Sequence, residues 1–466
     1  MKLVAQTVDV LGARREEYLE LRSGGIPILG RTLFVDGLNG DDNGVGKPFK
    51  TLTAAKRAAL SGDIIHVSPG TYEENDLLKD GVNWHFDAGV IVQYTANGTG
   101  DVAGNRGIFD DRSGAVSCKI TGKGTFKYTA SDSEPFSRGL FVMDVGSTGR
   151  IHFEAARLEI SLGFDATQAA LAIFNCARFH FDIDEIVDLD YSGGVNACSG
   201  IYWKKGDMQG RVGFMQVAAY CLYCQEPAGL PTTSIYCRGD YWESNANAIY
   251  TYPNDTGVSN LNYRTWLEVL EIKATFETCN FFVGRNYLTA QKVSQTTAGF
   301  SGISMQYNTE AWVNIQKLSN NGKGIVTNSG FTGKLFANIL HFEDLGSVTN
   351  HLELSGTGTA YISGEAMIQS TGQCVEIIGA GNWFIRGYRM EVTTDGAAND
   401  CILLGATSSG LVLNNCTLVC GASAQSVELA AARTITNYGS VAKRAVSVAF
   451  TLTVNVQALL VDANVA

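Results

Sequence analysis

Proline is scarce in this sequence and absent after Pro253. The chain has seven prolines among its 466 residues, against 52 glycines. This composition favours many short turns between strands over proline-rich linkers. A chain of this length would suit two or three domains, but we expect the part beyond Pro253 to form one continuous body.

Paired cysteine motifs are also lacking. The eleven cysteines are an odd number. The close pair Cys221 and Cys224 has no second pair to complete a zinc site, and Cys416 and Cys420 are similarly alone. We therefore predict that most of them are buried free thiols of a chain folded in a reducing cytosol. The six histidines show no paired metal spacing either, so no metal or cofactor site is predicted.

Long apolar runs, a positive net charge and familiar catalytic motifs are missing too. The N-terminal residues break their apolar pattern at Gln6, Thr7 and Asp9, so we expect no secretory signal, and folding in a cytoplasm. No apolar run is long enough for membrane insertion. A net charge of −11 offers no basic stripe, which argues against a nucleic-acid partner. No HExxH, GxSxG or Walker motif is present.

Residues 1–33 lack the strand-and-turn pattern that is typical of the rest of the chain. We predict a short helix around residues 13–21, where charged side chains leave little apolar face. The segment is interpreted as an arm that attaches to a partner protein or to its own trimer. A frayed terminus is the alternative.

Residues 34–72 are predicted to hold one helix between two short strands. The N-cap is Thr51, and Ser61-Gly62 stops the helix. The following four residues share one side of it and predict that the helix lies on an apolar surface. They are Leu52, Ala55, Ala59 and Leu60.

The motifs of this stretch occur in a distinctive order. VDG is at 35–37, NGDD at 39–42, GKPFKTL at 46–52 and PGTYE at 69–73. This order resembles the start of right-handed parallel β-helix proteins of the pectin-lyase-like group. The resemblance implies an all-β fold, a right-handed single-stranded parallel β-helix whose N-terminal helix caps the first coil. It implies almost nothing about chemistry.

Strand-like segments then recur along the chain. Their starts are Ile108, Leu140, Leu171, Ile201, Ile235, Ile303, Ile325, Leu352, Val375, Ile402 and Val427. A period of roughly 20–50 residues is typical of a solenoid, whereas a sandwich or barrel would not return so regularly. We predict an arm (1–33), a cap with the first coils (34–107), a β-helix body (108–433) and a C-terminal strand segment (434–466).

Six apolar residues alternate with small or polar ones near the C-terminus. They are Val446, Val448, Phe450, Leu452, Val454 and Val456. The alternation predicts one long strand with an apolar face. Such a strand either docks on its own solenoid or pairs with copies of itself, and we favour a homotrimer, because a closed arrangement removes exposed edges.

Two acids are candidates for catalysis. Asp182 and Asp184 alternate with apolar residues, so they are predicted on one outer face about 7 Å apart. That spacing suits two carboxylates that flank a glycosidic bond, if one of them is partly shielded. The alternative is a solvated strand face with no catalytic role.

Aromatic residues concentrate between Tyr191 and Trp266. Outward rings with a polar group suit stacking on sugars or burial at a subunit interface, and core packing is the alternative. The predicted ligand-binding residues are Tyr202, Trp203, Tyr223, Tyr241, Trp242 and Tyr250.

Three expectations must be explained together. They are a β-helix without an export signal, an N-terminal arm that differs from the rest of the chain, and a self-associating strand. By organisation the chain looks like a bacteriophage tail spike or tail fibre, folded in the host cytoplasm and located in the virion. We expect a trimeric structural protein whose outer face contacts a host-surface polysaccharide or a neighbouring virion protein, and whose residues 1–33 attach to other virion proteins. The alternatives are a polysaccharide depolymerase (a glycoside hydrolase or lyase) and an assembly component without a glycan ligand.

Overall fold

The computed structural model describes most of the chain, with gaps between the described segments. These segments are residues 2–8, 14–20, 30–43, 46–96, 107–111, 115–130, 139–144, 147–161, 168–191, 198–225, 233–252, 263–282, 284–346, 349–394, 399–405, 410–420, 426–429, 433–442, 452–454 and 460–461.

The N-terminal segment contains two strands and no helix in its described part. Strands β1 (Lys2–Val8) and β2 (Arg14–Glu20) pair antiparallel, with Val8 opposite Arg14. The helix predicted at residues 13–21 is therefore wrong. Its helix-forming Arg and Glu residues were a weak guide because strand pairing overrides intrinsic propensity.

One helix and five strands build the start of the solenoid. They are β3 (Thr32–Val35), α1 (Leu52–Ala58), β4 (Ile64–Val67), β5 (Gly70–Glu73), β6 (Asn83–Phe86) and β7 (Val90–Ala96). Thr51 is the N-cap, as predicted, and its side chain accepts a hydrogen bond from the Ala54 backbone N–H. Leu52, Ala55 and Ala59 are buried, but Leu60 is exposed, because the helix ends at Ala58.

Asp63 connects the end of this helix to Arg31, the residue directly before β3. Its carboxylate accepts hydrogen bonds from the Arg31 guanidinium at 2.7 Å and from the backbone N–H of Leu60 at 2.8 Å. The Arg31 hydrogen bond is the main cause that lowers the pKa of Asp63 to about 2. A charged Asp63 thus joins three segments of the first coil.

The body of the chain consists of strands that belong to two sheets. They are β8 (Phe109–Asp111), β9 (Ser117–Gly122), β10 (Thr125–Ala130), β11 (Gly139–Met143), β12 (Arg150–Ser161), β13 (Ala169–Ile173), β14 (Arg178–Asp188), β15 (Ser199–Trp203), β16 (Asp207–Val217), β17 (Leu222–Gln225), β18 (Thr233–Ser244), β19 (Ile249–Tyr252), β20 (Tyr263–Ala274), β21 (Cys279–Phe281), β22 (Arg285–Gln295), β23 (Ser301–Met305), β24 (Glu310–Asn320), β25 (Lys323–Thr327) and β26 (Lys334–Asp344).

The C-terminal coils use shorter strands. They are β27 (Asn350–Leu354), β28 (Thr359–Ser363), β29 (Ala366–Gln369), β30 (Gln373–Ile377), β31 (Asn382–Arg386), β32 (Arg389–Val392), β33 (Ile402–Leu404), β34 (Leu411–Asn414), β35 (Thr417–Val419), β36 (Val427–Leu429), β37 (Arg433–Tyr438), β38 (Val441–Ala442), β39 (Leu452–Val454) and β40 (Leu460–Val461).

Beyond the β1–β2 pair, the strands form two parallel sheets. The long sheet has 25 described strands and the short sheet has 13. The long strand β26 pairs with β28 along its first half and with β29 along its second half, so the turn after β26 contributes two shorter strands to the long sheet. The result is an all-β parallel solenoid, consistent with a parallel β-helix. In the described part, no helix is long and apolar enough to cross a membrane.

Inward side chains form continuous columns along this solenoid. In the short sheet, one column contains Leu171, Ile201, Leu222, Ile249, Cys279, Ile303, Ile325, Leu352, Val375, Ile402 and Val427. Each residue is fully buried. Every coil therefore covers its inner face with the coils beside it, which is the source of stability in a solenoid.

This column tests the predicted repeat. The six later starts, from Ile303 onward, are confirmed, because they occupy one register position. Phe141 rather than Leu140 aligns with Leu171. The repeat start predicted at Ile235 is wrong, because Ile235 lies in the long sheet beside Met208. The column of the short sheet continues from Ile201 to Leu222 instead.

The cysteines are confirmed as buried free thiols. All eleven are buried, and none of them forms a disulfide bond. Burial raises the pKa of the Cys118 thiol to about 12, so it stays protonated and behaves as a small apolar side chain.

The C-terminal apolar strand is described only in part. Val446, Val448, Phe450 and Val456 lie outside the described residues. Leu452 and Val454 belong to β39, which pairs in parallel with β37 of the same chain. At these positions the backbone therefore continues the solenoid.

Candidate functional site

Trp203 and Trp242, two of the predicted ligand-binding residues, belong to the core. Both are fully buried, and the Trp242 indole Nε1 donates a hydrogen bond to the Val212 carbonyl at 3.1 Å. Trp203 packs against Tyr263 with ring centroids 4.6 Å apart. Strand alternation placed one member of each pair inward, and that member is the tryptophan. Neither ring offers a face to a ligand, which corrects their assignment.

Tyr202, Tyr223 and Tyr250 come together on the outer face of the short sheet. They occupy one register position on three successive coils. Ring centroids are 5.5 Å apart between Tyr202 and Tyr223, and 5.7 Å apart between Tyr223 and Tyr250. Tyr202 is itself buried under its neighbours, and its hydroxyl donates to the Gln225 Oε1 at 2.6 Å.

These tyrosines belong to a larger cluster, which we call the tyrosine patch. Its members are Phe174, Tyr202, Tyr220, Tyr223, Tyr250, Tyr252, Phe282 and Tyr307. Most ring pairs are tilted rather than parallel, for example by 53° between Tyr250 and Phe282. Tilted rings leave part of their faces available, as contact with a sugar requires.

Glu277 and Asn280 supply polar groups beside the tyrosine patch. The Asn280 side-chain amide donates a short hydrogen bond to the Glu277 carboxyl group. Burial raises the pKa of Glu277 above the usual range of a carboxyl group. The Oδ1 atom of Asn280 is buried and has no partner among the described residues. The patch therefore holds one acid with a raised pKa and one unsatisfied acceptor.

Tyr241, the sixth predicted ligand-binding residue, lies apart from the patch. It belongs to β18 of the long sheet and stacks on Phe214 with ring centroids 5.7 Å apart. Burial, helped by the charge of Glu243, raises the pKa of Tyr241 to about 12. Tyr241 is close to the patch residues in the sequence, which is why it was predicted together with them. In the structure it lies on the long sheet, whereas the patch lies on the short sheet.

Asp182 and Asp184 lie together on the outer face of β14, where Asp182 is exposed and Asp184 is half-buried. The same Arg211 guanidinium nitrogen is 3.8 Å from a carboxylate oxygen of each. Lys123 approaches Asp184 at 2.6 Å. Both carboxylates are engaged by cations, as is common on a solvated strand face. The geometry thus favours a solvated ion-pair network here.

An aromatic ladder on the long sheet was not predicted from the sequence. Its rings lie on successive coils and stack with interplanar angles of at most 11°. The ladder consists of Trp266, Tyr287, Trp312, Phe336, Tyr361 and Phe384. Five of these rings, from Tyr287 onward, are the third residue of their strand. That recurring position is a signal that the sequence contained.

A polar column runs beside the ladder, two residues further along each strand. It consists of Thr289, Asn314, Asn338, Ser363, Arg386 and Asn414. Neighbouring coils are joined here, since the Asn338 amide donates to the Asn314 Oδ1 at 3.0 Å. Arg386 is exposed, and no ion pair joins it to another described residue.

The ladder and the polar column line an open groove of about 760 Å³. It extends from Tyr287 to Tyr438 along the solenoid axis. The ring faces contact one another, so the groove presents ring edges on one side and amide or hydroxyl groups on the other. Such a surface can bind an extended molecule that has both C–H and hydroxyl groups.

Comparisons of the chain with protein-family models, curated proteins and solved structures found no match. The fold alone therefore defines the class, an all-β parallel solenoid consistent with a parallel β-helix. The chemistry of its surfaces must be argued from the groove and the tyrosine patch.

Proposed function

We propose that this chain is a virion appendage protein of the tail spike or tail fibre type that binds a host-surface polysaccharide. The observation that carries the proposal is the groove between the aromatic ladder and the polar column. A polysaccharide is extended, repeats at short intervals and has apolar C–H edges as well as hydroxyl groups. A groove that repeats once per coil and has one apolar and one polar wall is complementary to such a chain.

The charges at the groove favour an acidic polysaccharide. Arg386 is a cation that the described residues leave without a carboxylate, and a guanidinium binds carboxylates in bidentate fashion. The polar column around it is otherwise neutral, with Asn314, Asn338 and Ser363. A uronic or sialic acid residue placed beside Arg386 would complete the ion pair.

The proposal includes a right-handed β-helix with α1 as its cap, and a homotrimer. The buried side chains of Leu52 and Ala55 support the cap, because they cover apolar surface at the start of the solenoid. Closed assembly would protect the edges at the other end. Light scattering at micromolar concentration should give three chains per particle, and a monomer would contradict the trimer.

Glycan binding is tested with purified bacterial capsular and lipopolysaccharide glycans immobilised on a biosensor. Trp312→Ala and Asn314→Ala should each weaken binding about tenfold, which corresponds to about 1.4 kcal/mol. The matched control is Arg238→Ala on the same sheet, where Arg238 is ion-paired with Glu268 at 3.0 Å. Unchanged binding in both groove variants would overturn the assignment of the groove. If no glycan binds the wild-type protein, the assembly component without a ligand is favoured.

Glycan cleavage is a second candidate, and one observation favours it. Glu277 carries a carboxyl group whose pKa is raised by burial, and a general acid needs that property at neutral pH. New reducing ends or unsaturated sugars in a polysaccharide incubated with the protein would establish cleavage. Glu277→Gln should abolish it, whereas Asp182→Asn and Asp184→Asn should not.

A further inference from the structure

Two histidines that are distant in sequence are neighbours on the first coils. His66 lies in β4 and His85 in β6, and the parallel pairing of these strands places them in direct register. Asp87 lies one residue beyond the end of β6. The sequence alone shows no paired metal spacing here, because this pair forms across coils rather than along one strand.

The three side chains converge on one point. The Nε2 atom of His66 is 2.8 Å from the Asp87 Oδ1, and the Nε2 atom of His85 is 3.5 Å from the same oxygen. All three ligand atoms lie within 4.8 Å of one another. A tetrahedral metal with bonds of about 2.0–2.1 Å separates its ligand atoms by about 3.3 Å, so small side-chain movements suffice.

The hydrogen bonds of His85 orient it for metal binding. The Thr121 hydroxyl donates to the Trp84 carbonyl at 3.1 Å, so its single hydrogen is committed. Its oxygen must then accept from the His85 Nδ1, which is 3.1 Å away. A neutral His85 with its hydrogen on Nδ1 carries a lone pair on Nε2, towards Asp87. Ligating histidines are commonly fixed in this way through the other nitrogen.

His66 is held less favourably. Its side chain is mostly buried beneath Phe34, with ring centroids 5.5 Å apart, and its Nδ1 atom has no partner among the described residues. Metal binding through Nε2 leaves the ring hydrogen on this buried nitrogen, which costs free energy. We therefore expect a site of moderate affinity.

We propose that His66, His85 and Asp87 bind one divalent metal ion of the zinc class, with the remaining position open to water. Two imidazoles and one carboxylate form a donor set that suits zinc and its neighbours better than calcium or magnesium. The bound ion joins two successive coils near α1. It thereby stabilises the N-terminal end of the solenoid, since a metal that binds the folded chain adds to its stability.

The test uses the full chain, stripped with EDTA and titrated with CoCl₂, whose visible absorption reports coordination by nitrogen and oxygen. We expect saturation at one equivalent, displacement by ZnCl₂, and a higher unfolding temperature in ZnCl₂ than in EDTA. His85→Gln and Asp87→Asn should each weaken binding at least about tenfold. The control is His341→Gln, because His341 is exposed and lies 3.7 Å from Glu365.

Each result decides the proposal. The absence of saturable cobalt binding in the wild-type protein would overturn it. Binding unchanged in both His85→Gln and Asp87→Asn would place the metal elsewhere and would also overturn it. Circular dichroism in EDTA separates loss of binding from loss of folding. Thr121→Val, which removes the partner of the His85 Nδ1, should lower the cobalt affinity and leave the stoichiometry unchanged.

Discussion

The outer face of the long sheet changes character along one register column. From Glu154 to Glu268 the column is charged, and from Thr289 to Asn414 it is neutral except for Arg386. Both halves consist of parallel strands over a buried apolar core, although the strands beyond β26 are shorter. The two surfaces differ most clearly in their outward side chains.

In the charged half, outward cations and carboxylates pair with one another. Arg211 approaches Asp240 at 2.6 Å, and Arg238 approaches Glu268 at 3.0 Å, each across neighbouring coils. The neutral half instead stacks rings beside amides and leaves Arg386 without a described ion-pair partner. A surface whose charges are already paired gains little from a ligand, whereas the groove has groups that a ligand can engage.

The largest expected effect tests whether the core is equivalent under both halves. Trp242 lies beneath the charged half and Trp383 beneath the groove, and both are fully buried. Each change to Ala should cost about 3–5 kcal/mol of unfolding free energy, because a large buried ring is lost. Urea unfolding followed by circular dichroism at one fixed protein concentration measures both.

The conservative changes Trp242→Phe and Trp383→Phe serve as controls and should cost clearly less. A loss below about 1 kcal/mol for only one of the two alanine variants would show that the cores differ.

The next effect concerns pH and the coils that carry the groove. His351 is fully buried in β27, and burial lowers its pKa to about 4. The unfolded chain gains a proton as the pH falls through about 6.5, and the folded chain does so only near 4. Stability is therefore complete above pH 6.5 and falls by about 3 kcal/mol towards pH 4.

Unfolding in urea at pH 7 and pH 4.5 measures this loss. His351→Gln should reduce the difference between the two pH values, and His341→Gln, at an exposed position, should not. An unchanged pH dependence in His351→Gln would show that other groups cause it.

A smaller effect separates stability from binding on the groove. Trp312 is half-buried and stacks on Tyr287 at 4.6 Å and on Phe336 at 5.5 Å. Trp312→Ala should cost about 1–3 kcal/mol of stability, since two ring contacts are lost. Calorimetry measures this cost. A loss as large as that of Trp242→Ala would mean that the ladder is structural core rather than binding surface.

The smallest effect is expected in the charged half. Arg238→Ala removes an exposed ion pair with Glu268 and should leave the unfolding free energy nearly unchanged. The change should shrink further at high salt, because exposed charges are screened. Parallel unfolding curves at low and high ionic strength check this. A larger loss would show that the ion pairs hold the coils together.

The sequence predicted the solenoid because its inward column repeats one kind of residue at one position. The predicted repeat starts are wrong where this regular position is hard to recognise in the sequence. In β11 all five residues are buried, so alternation could not distinguish Leu140 from Phe141. Ile235 has the right residue type but lies on another face, and local pattern does not reveal which sheet a strand joins.

The candidate surfaces were predicted less completely than the fold. Tyr202, Tyr223 and Tyr250 were identified, because aromatic residues concentrate in that part of the sequence. The aromatic ladder and the histidine pair were missed, because their members are separated by a full coil and meet only through parallel pairing. Chemistry built across coils requires the register, and the register comes from the fold.

The matched register of the groove has a consequence for how such a protein can change length. Lys334 pairs with Thr359, Phe336 with Tyr361 and Asn338 with Ser363, so residues 334–358 make up one whole coil. Removing that segment would join Gly333 to Thr359 and shorten the solenoid by one strand spacing of about 4.8 Å. The groove would lose one ring and one amide and keep its pattern. Its length is therefore counted in whole coils, and a longer or shorter ligand can be matched by duplication or deletion of a single repeat.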